Sequence, residues 1–292
     1  NEYVASEKYP TTSGTSLEKL ADSLVAAGLK RVAGSVVGVD SRYDDMRFVE
    51  VWPQDFHFTE AGPLGALVVD DGVVLGLPTK PDDPAIAAAT ELQNLLNARG
   101  VFFGALPRRD ALPSGVLELA SIQSAPITSI IQEMMVNSDN NTAELLLKEI
   151  GFASSATGST AAGLTAVKSQ LVKWKLDKDV QLFDGSGLAS DARIPCDTFM
   201  SLLNTFSSTM PGLMAIAGET GTIRDTFDGT VAAGRLRGKT GTLNGVKALV
   251  GYLPVANSGP VTFSLLMNKA GIDNQGSYRP IWYSLAEVLN KD

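Results

Sequence analysis

The sequence predicts a mixed α/β chain of the α+β kind, an antiparallel sheet flanked by helices, with a smaller inserted α/β domain ahead of it. Three observations predict this. The last third carries three strand-like runs, 234–243, 246–253 and 261–268, separated by Asn244-Gly245 and by the turn-forming Asn257-Ser258-Gly259-Pro260. Apolar residues recur at helical spacing in several segments before them. Residues 104–115 hold two prolines, two glycines and a charge cluster, which marks a domain boundary near 112 between residues 1–112 and 113–292.

In order along the chain, the first ten residues or so lack a period and end in the polar Pro10-Thr11-Thr12-Ser13-Gly14. Thr15, with Glu18 three residues on, caps a helix whose stripe is Leu17, Leu20, Ala21, Leu24 and Val25 and whose stop is Gly28. Residues 32–39 read as a buried strand. Residues 65–69 and 73–77 read as a hairpin around Asp70-Asp71-Gly72. Asp83-Pro84 opens a helix that runs through Leu92, Leu95 and Leu96 to Arg99-Gly100, with proline at the start and glycine at the end. Beyond the boundary come a strand over 116–123, a helix from Pro126 to Val136, and a further helix that ends at Gly151. Ser138-Asp139-Asn140 therefore falls in a tight connection between two helices. An amphipathic helix spans about 161–174, Asp184-Gly185-Ser186-Gly187-Leu188 is a turn by composition, and a helix from about 280 to 290 covers the C-terminal sheet.

Composition removes several classes of function. The 292 residues are 44% hydrophobic and 19% charged, enough for a sizeable core. A net charge of −8 argues against nucleic acid or an anionic membrane surface as the main partner, although a peripheral membrane association is left open. No apolar run approaches the roughly 18 residues of a membrane span, and no signal peptide is visible at Asn1. Cys196 and His57 are each the sole residue of their type, so an internal disulfide and Cys/His zinc sites are excluded. His57 lies in the aromatic stretch Trp52-Pro53-Gln54-Asp55-Phe56-His57-Phe58 and reads as a packed or surface side chain, not a triad member. Cys196, after Pro195 in a first helical turn, reads as an inert small hydrophobe. Acid–base chemistry must rest on lysine, serine or carboxylates, and no metal or cofactor is expected.

Gly238-Lys239-Thr240 invites comparison with a phosphate-binding loop, but the spacing fails because position 233 is alanine where the leading glycine is needed. This lysine also runs along a strand into an Asn-Gly hairpin, not into a helix N-terminus. On a strand, Lys239 and Gly241 share one side, and Gly241 removes a side chain where a ligand backbone could approach. That suits a peptide added as a strand, its terminal carboxylate drawn by an ammonium and nearby hydroxyls.

Five motifs then stand in a telling order: Ser124-Ala125-Pro126-Ile127, Ser138-Asp139-Asn140-Asn141-Thr142-Ala143-Glu144, Asp184-Gly185-Ser186-Gly187-Leu188, Ala217-Gly218-Glu219-Thr220-Gly221-Thr222 and Gly238-Lys239-Thr240-Gly241-Thr242-Leu243. In these the chain resembles class C low-molecular-mass penicillin-binding proteins of the D-alanyl-D-alanine carboxypeptidase/endopeptidase family. Leu20-Ala21 through Val39-Asp40 and Ala61-Gly62-Pro63-Leu64-Gly65-Ala66-Leu67 resemble the domain material that this family inserts between its first and second motifs.

The resemblance implies a penicillin-binding/β-lactamase-like fold and a serine peptidase that cleaves peptidoglycan stem peptides through an acyl-enzyme and is inhibited by β-lactams. The place of action would be extracytoplasmic. It implies catalytic roles for Ser138 as proton relay, Asn140 as holder of the substrate amide and Lys239 as the positive charge beside Ser138. It implies substrate binding by Thr240, Gly241 and Thr242, the Thr242 N–H being half of an oxyanion hole. The family's nucleophile sits in a Ser-x-x-Lys motif upstream of the insertion. Here the sole Ser-x-x-Lys, Ser16-Leu17-Glu18-Lys19, is already accounted for as a capped helix start. The expectation is a chain that begins after the true motif, which would lie upstream of Asn1 or on a companion segment; the alternative is a non-catalytic cell-wall peptide binder that has lost its nucleophile.

Overall fold

The computed structural model describes residues 15–74, 76–77, 79–256 and 259–291. The polar opening segment and the first two residues of the 257–260 turn lie outside these residues. Helices are α1 (Leu17–Ala26), α2 (Pro84–Ala98), α3 (Ile127–Asn137), α4 (Asn140–Ser155), α5 (Thr160–Trp174), α6 (Cys196–Thr205) and α7 (Gln275–Leu289). Strands are β1 (Arg31–Val32), β2 (Val37–Gly38), β3 (Phe102–Phe103), β4 (Arg108–Arg109), β5 (Ala215–Ile216), β6 (Arg237–Leu243), β7 (Val246–Val255) and β8 (Gly259–Asn268). The chain divides into two compact units.

One unit comprises Asn1–Pro126, Asn140–Ser169 and Asp184–Ala189. Ser16, not Thr15, caps α1, its Oγ accepting from the Lys19 N–H at 3.3 Å. Ala21 of α1 and Leu96 of α2 are buried together with Val101, and Leu24, Val25, Leu92 and Phe103 pack around them. The expected strand over 32–39 is split. β1 pairs in parallel with β3 and β2 with β4, while between them the Val36 N–H donates to Gln93 Oε1 at 3.1 Å and so leaves the ladder. The expected hairpin over 65–77 is absent from the described residues. Asp70, Asp71 and Gly72 all take positive φ (53°, 56° and 77°), one residue more than a two-residue hairpin turn uses, and form a 3-10 turn. Asp83 caps α2 as expected, accepting from the N–H groups of Ala85 and Ile86.

The predicted strand over 116–123 has no sheet partner among the described residues, and Leu117 is 85% exposed. Its apolar content suits a strand, but a ladder needs a second chain segment that local sequence does not specify. Gly151 does not end α4. A Cβ there would come within 2.7 Å of the Gly163 N, and a Cβ at Gly163 within 2.2 Å of the Leu147 carbonyl oxygen. The two glycines let α4 and α5 approach closely, which is a packing role rather than a stop signal.

The other unit comprises Ile127–Asp139, Gln170–Phe183 and Ser190–Asp292 and holds an antiparallel sheet in the order β5-β6-β7-β8. The β6/β7 register places Lys239 opposite Val250, Thr240 opposite Leu249 and Thr242 opposite Lys247. Odd-numbered β7 residues face α7: Leu249 and Leu253 are buried with Phe227, Phe263, Tyr278 and Trp282. Even-numbered ones face α3 and α6: Val250 and Tyr252 pack with Leu203, Met135 and Phe199, and the Tyr252 hydroxyl donates to the Leu203 carbonyl at 2.6 Å. Trp282 is 1% exposed, and cutting it to alanine would cost about 3–5 kcal/mol.

Two details differ from expectation. Gly245 has φ 70°, whereas Asn244 is not among the positive-φ residues; Gly245 is held from outside, its N–H donating to Asp273 Oδ1 and its carbonyl accepting from the Lys269 N–H. Helix α7 begins at Gln275, so Pro280 lies in its second turn and not at its start.

Candidate active site

Ser138 and Asp139 separate the last residue of α3 from the start of α4. The Asp139 N–H returns to the Met134 carbonyl at 3.0 Å, and Ser138 takes a left-handed φ of 59°, a conformation that L-residues other than glycine adopt rarely. Its side chain meets β6. Lys239 Nζ donates to Ser138 Oγ at 2.7 Å and to the Thr240 carbonyl at 2.7 Å. Burial, and after it the charge of Lys247, pushes the Lys239 ammonium down to about 8. At pH 7 roughly nine tenths of the molecules still carry the charge, so Lys239 presents an ammonium to Ser138 that lies within reach of deprotonation.

Thr240 and Thr242 lie on the other face of β6. Thr240 Oγ1 bonds Thr222 Oγ1 at 2.8 Å, and Thr222 sits in a 3-10 turn over Gly221–Ile223. That turn is fixed by Gly221, which has φ 59° and whose Cβ position lies 2.1 Å from the Val136 carbonyl oxygen of α3. Lys247 Nζ donates to Thr242 Oγ1 at 2.7 Å. At Gly241 an added Cβ would meet only Ala248 Cβ, at an ordinary 3.5 Å. The sheet itself does not require glycine there.

The edge of β6 is only partly used. β5 pairs with Arg237 and Gly238, and among the described residues no strand pairs with Lys239–Leu243 on that side. A row of backbone donors and acceptors thus runs beside the Ser138–Lys239 pair, flanked by threonine hydroxyls. Such an edge can accept an extended peptide by main-chain hydrogen bonds.

Of the sequence-predicted residues, Ser138, Lys239, Thr240, Gly241 and Thr242 fall within this one unit. Asn140 falls in the other, where its Nδ2 donates to the Glu60 carbonyl at 2.9 Å. Two of the quoted motifs have clear supporting contacts in that unit. Glu144, fully buried and pushed up by that burial, accepts from the Thr160 hydroxyl and the Gly185 N–H, both at 2.6 Å. Asp184 accepts from Trp52 Nε1 at 2.9 Å, from the Ser186 hydroxyl, and from the N–H groups of Gly187, Leu188 and Ala189. His57 stacks on Phe48 at 4.1 Å. Cys196, read from the sequence as an inert small hydrophobe, opens α6 and is exposed. Among the described residues no group of three or more His, Cys, Asp and Glu side chains is placed to hold a metal ion.

Sequence reasoning gave no role to Thr222 or Lys247. A signal for Lys247 was present: a two-residue Asn244-Gly245 turn pairs 243 with 246 and so sets 247 opposite 242.

Comparison with known proteins places this geometry in context. Residues 75–281 match the D-Ala-D-Ala carboxypeptidase 3 (S13) family. The chain is 32% identical over 278 residues to carboxypeptidase DacB of Mycolicibacterium smegmatis, covering 87% of this chain and 58% of that protein. It is 27% identical to the D-alanyl-D-alanine carboxypeptidase of an Actinomadura species, covering 91% of this chain and 65% of the relative. It therefore spans less than two thirds of the length of these relatives. The crystal structure of penicillin binding protein 4 (dacB) from Haemophilus influenzae shares the fold, with a TM-score of 0.79 at 20% identity over 94% of this chain and 78% of that one. A second structure of that protein, complexed with a novel β-lactam, matches with a TM-score of 0.60 at 25% identity over 71% of this chain and 51% of that one.

Proposed function

The chain belongs to the D-Ala-D-Ala carboxypeptidase 3 (S13) family, and from that premise we propose that it serves a serine D-Ala-D-Ala carboxypeptidase/endopeptidase acting on peptidoglycan stem peptides through an acyl-enzyme that β-lactams trap. The observation that carries this reading is the 2.7 Å donation from the Lys239 ammonium to Ser138 Oγ, beside a strand edge open to a peptide. Residues 1–112 are read as inserted material and 113–292 as part of the penicillin-binding domain. The attacking serine comes, in this reading, from a Ser-x-x-Lys segment outside the 292 residues.

The peptide lies along β6 with its terminal carboxylate toward the hydroxyls of Thr240 and Thr242. As the hydroxyl proton of the attacking serine passes to the lysine of its own Ser-x-x-Lys motif, the serine oxygen bonds the carbonyl carbon of the penultimate D-alanine, forms the ester and breaks the C–N bond to the terminal residue. Ser138 gives its hydroxyl proton to the departing amine nitrogen and regains one from the Lys239 ammonium, a relay that contributes about 10²–10⁴-fold in rate. The Thr242 N–H would stabilise the oxyanion, and the Asn140 amide would hold the substrate's amide. Water then adds to the ester carbonyl and gives one proton back to the serine oxygen, releasing the acyl group as a carboxylic acid, and the proton held by the motif lysine restores the Lys239 ammonium. Because stem peptides lie outside the cytoplasm, the site of action is extracytoplasmic.

The test is to incubate the full-length gene product and this 292-residue chain with a fluorescent penicillin and to locate the label by peptide mass spectrometry. Label on a serine of a Ser-x-x-Lys motif, in the full-length product alone, is the expected result. No label on either protein would remove the acyl-enzyme reading.

A further inference from the structure

Lys247 occupies a setting that the sheet alone does not explain. It stands on β7 directly opposite Thr242, is 8% exposed, and lies over the rings of Tyr278 at 4.2 Å and Trp282 at 5.2 Å. A methionine would fill that slot without burying a charge, and burying an ammonium costs several kcal/mol unless its N–H groups and charge are answered. The aromatic faces answer part of the charge. Asp273 opposes it with negative charge, while Arg279 of α7 and Lys239 of β6 act on it, or are acted on by it, with the same sign. The remaining contact is the donation to Thr242 Oγ1 at 2.7 Å, and it has a directional consequence. A hydroxyl oxygen that accepts from an ammonium keeps its own proton free to donate. The Thr242 residue is exposed while Lys247 is buried, so the hydroxyl proton left free by this contact is available to a group outside the sheet.

We propose that Lys247 is a specificity-determining positioning residue: it fixes the Thr242 hydroxyl as a donor toward the ligand and places a second positive charge behind it, so that ligands ending in a carboxylate are selected over those ending in an uncharged amide. This rests on the reading of β6 as the ligand strand given above. Lys247 touches no substrate; it acts through Thr242. Loss of the oriented, charge-backed donor would lower discrimination about ten- to a hundred-fold, the range of a charge-assisted hydrogen bond.

The experiment uses the full-length gene product and two substrates, an N-acyl peptide ending in D-Ala-D-Ala and the same peptide with a C-terminal carboxamide. Wild type, Lys247→Met, Thr242→Val and the double variant are compared by kcat/KM, with thermal unfolding to confirm folding. Wild type is expected to prefer the free carboxylate. Each single variant should lose at least ten-fold of that preference, through KM more than kcat, and the double variant should lose no more than the worse single one. A folded Lys247→Met protein with the wild-type preference would overturn the proposal while leaving the carboxypeptidase reading intact. If Lys247→Met does not fold, Thr242→Val decides: unchanged preference there sinks the proposal equally. Turnover of neither peptide by wild type would refute the functional reading, and this inference with it.

Discussion

Lys239 should make the stability of the chain rise with pH across a window in which most lysines are silent. Its ammonium titrates near 8 in the folded chain against an ordinary 10.5, because burial and then the Lys247 charge disfavour the protonated form. The unfolded chain therefore binds more protons between those two values, and the free energy of unfolding increases as pH rises from about 8 to about 10.5. Below 8 both states are protonated and the increment is absent. At about 1.4 kcal/mol per pH unit the ceiling is roughly 3 kcal/mol, and the partial exposure of the side chain brings the expected gain to about 1–2 kcal/mol. Other groups move in the same range: Lys247 is also lowered, and Tyr43, raised by burial and by Glu149, acts in the opposite sense. The difference between wild type and Lys239→Met isolates the one residue. Urea unfolding of both proteins at pH 7.5, 8.5, 9.5 and 10.5 measures it, and ¹³Cε NMR of labelled lysines, assigned by the same variant, reads the titration directly. Parallel stability profiles together with a Lys239 resonance titrating at the ordinary lysine value would refute the argument.

Two further outcomes follow from contacts already described. Gly241→Ala should change stability by no more than about 1 kcal/mol, since its Cβ meets only Ala248 at 3.5 Å, yet slow labelling of the full-length gene product by penicillin at least ten-fold if a ligand backbone lies over that position; equal labelling rates would count against strand addition at β6. Asp184→Ala should destabilise by about 3 kcal/mol and alter the fluorescence of Trp52, because a buried carboxylate that accepts from Trp52 Nε1 and from three backbone N–H groups is removed, as chemical denaturation and emission spectra will register.

Much of the C-terminal sheet was legible because its signals are local. Alternating apolar residues and the Asn244-Gly245 turn define β6, β7 and their register, and the Ser138 junction follows from two helical periods that stop and restart. What escaped was non-local. β5 is only two residues long and exists because β6 is beside it. The segment 116–123 has strand composition without a strand beside it among the described residues, and 32–39 is broken because Gln93, far along the chain, takes the Val36 N–H. Gly151 reads as a terminator until Gly163 is seen against it. At the candidate site, Ser138, Lys239, Thr240 and Thr242 were proposed from motifs, and all four fall in one compact unit. Lys247 required following the register one rung further, from a residue with a proposed role to the one facing it.

The half-used edge of β6 also bears on how this protein behaves at high concentration. Beyond Gly238, where among the described residues no strand pairs on that side, the β6 edge is a template for an extended segment, including one from a neighbouring molecule. Charge on Lys239 opposes such self-templating, and so does the short length of the exposed rung set. Under the proposed function, a peptide or a β-lactam on the edge would remove the template, so the same hydrogen bonds that hold a ligand would keep the molecules colloidally apart.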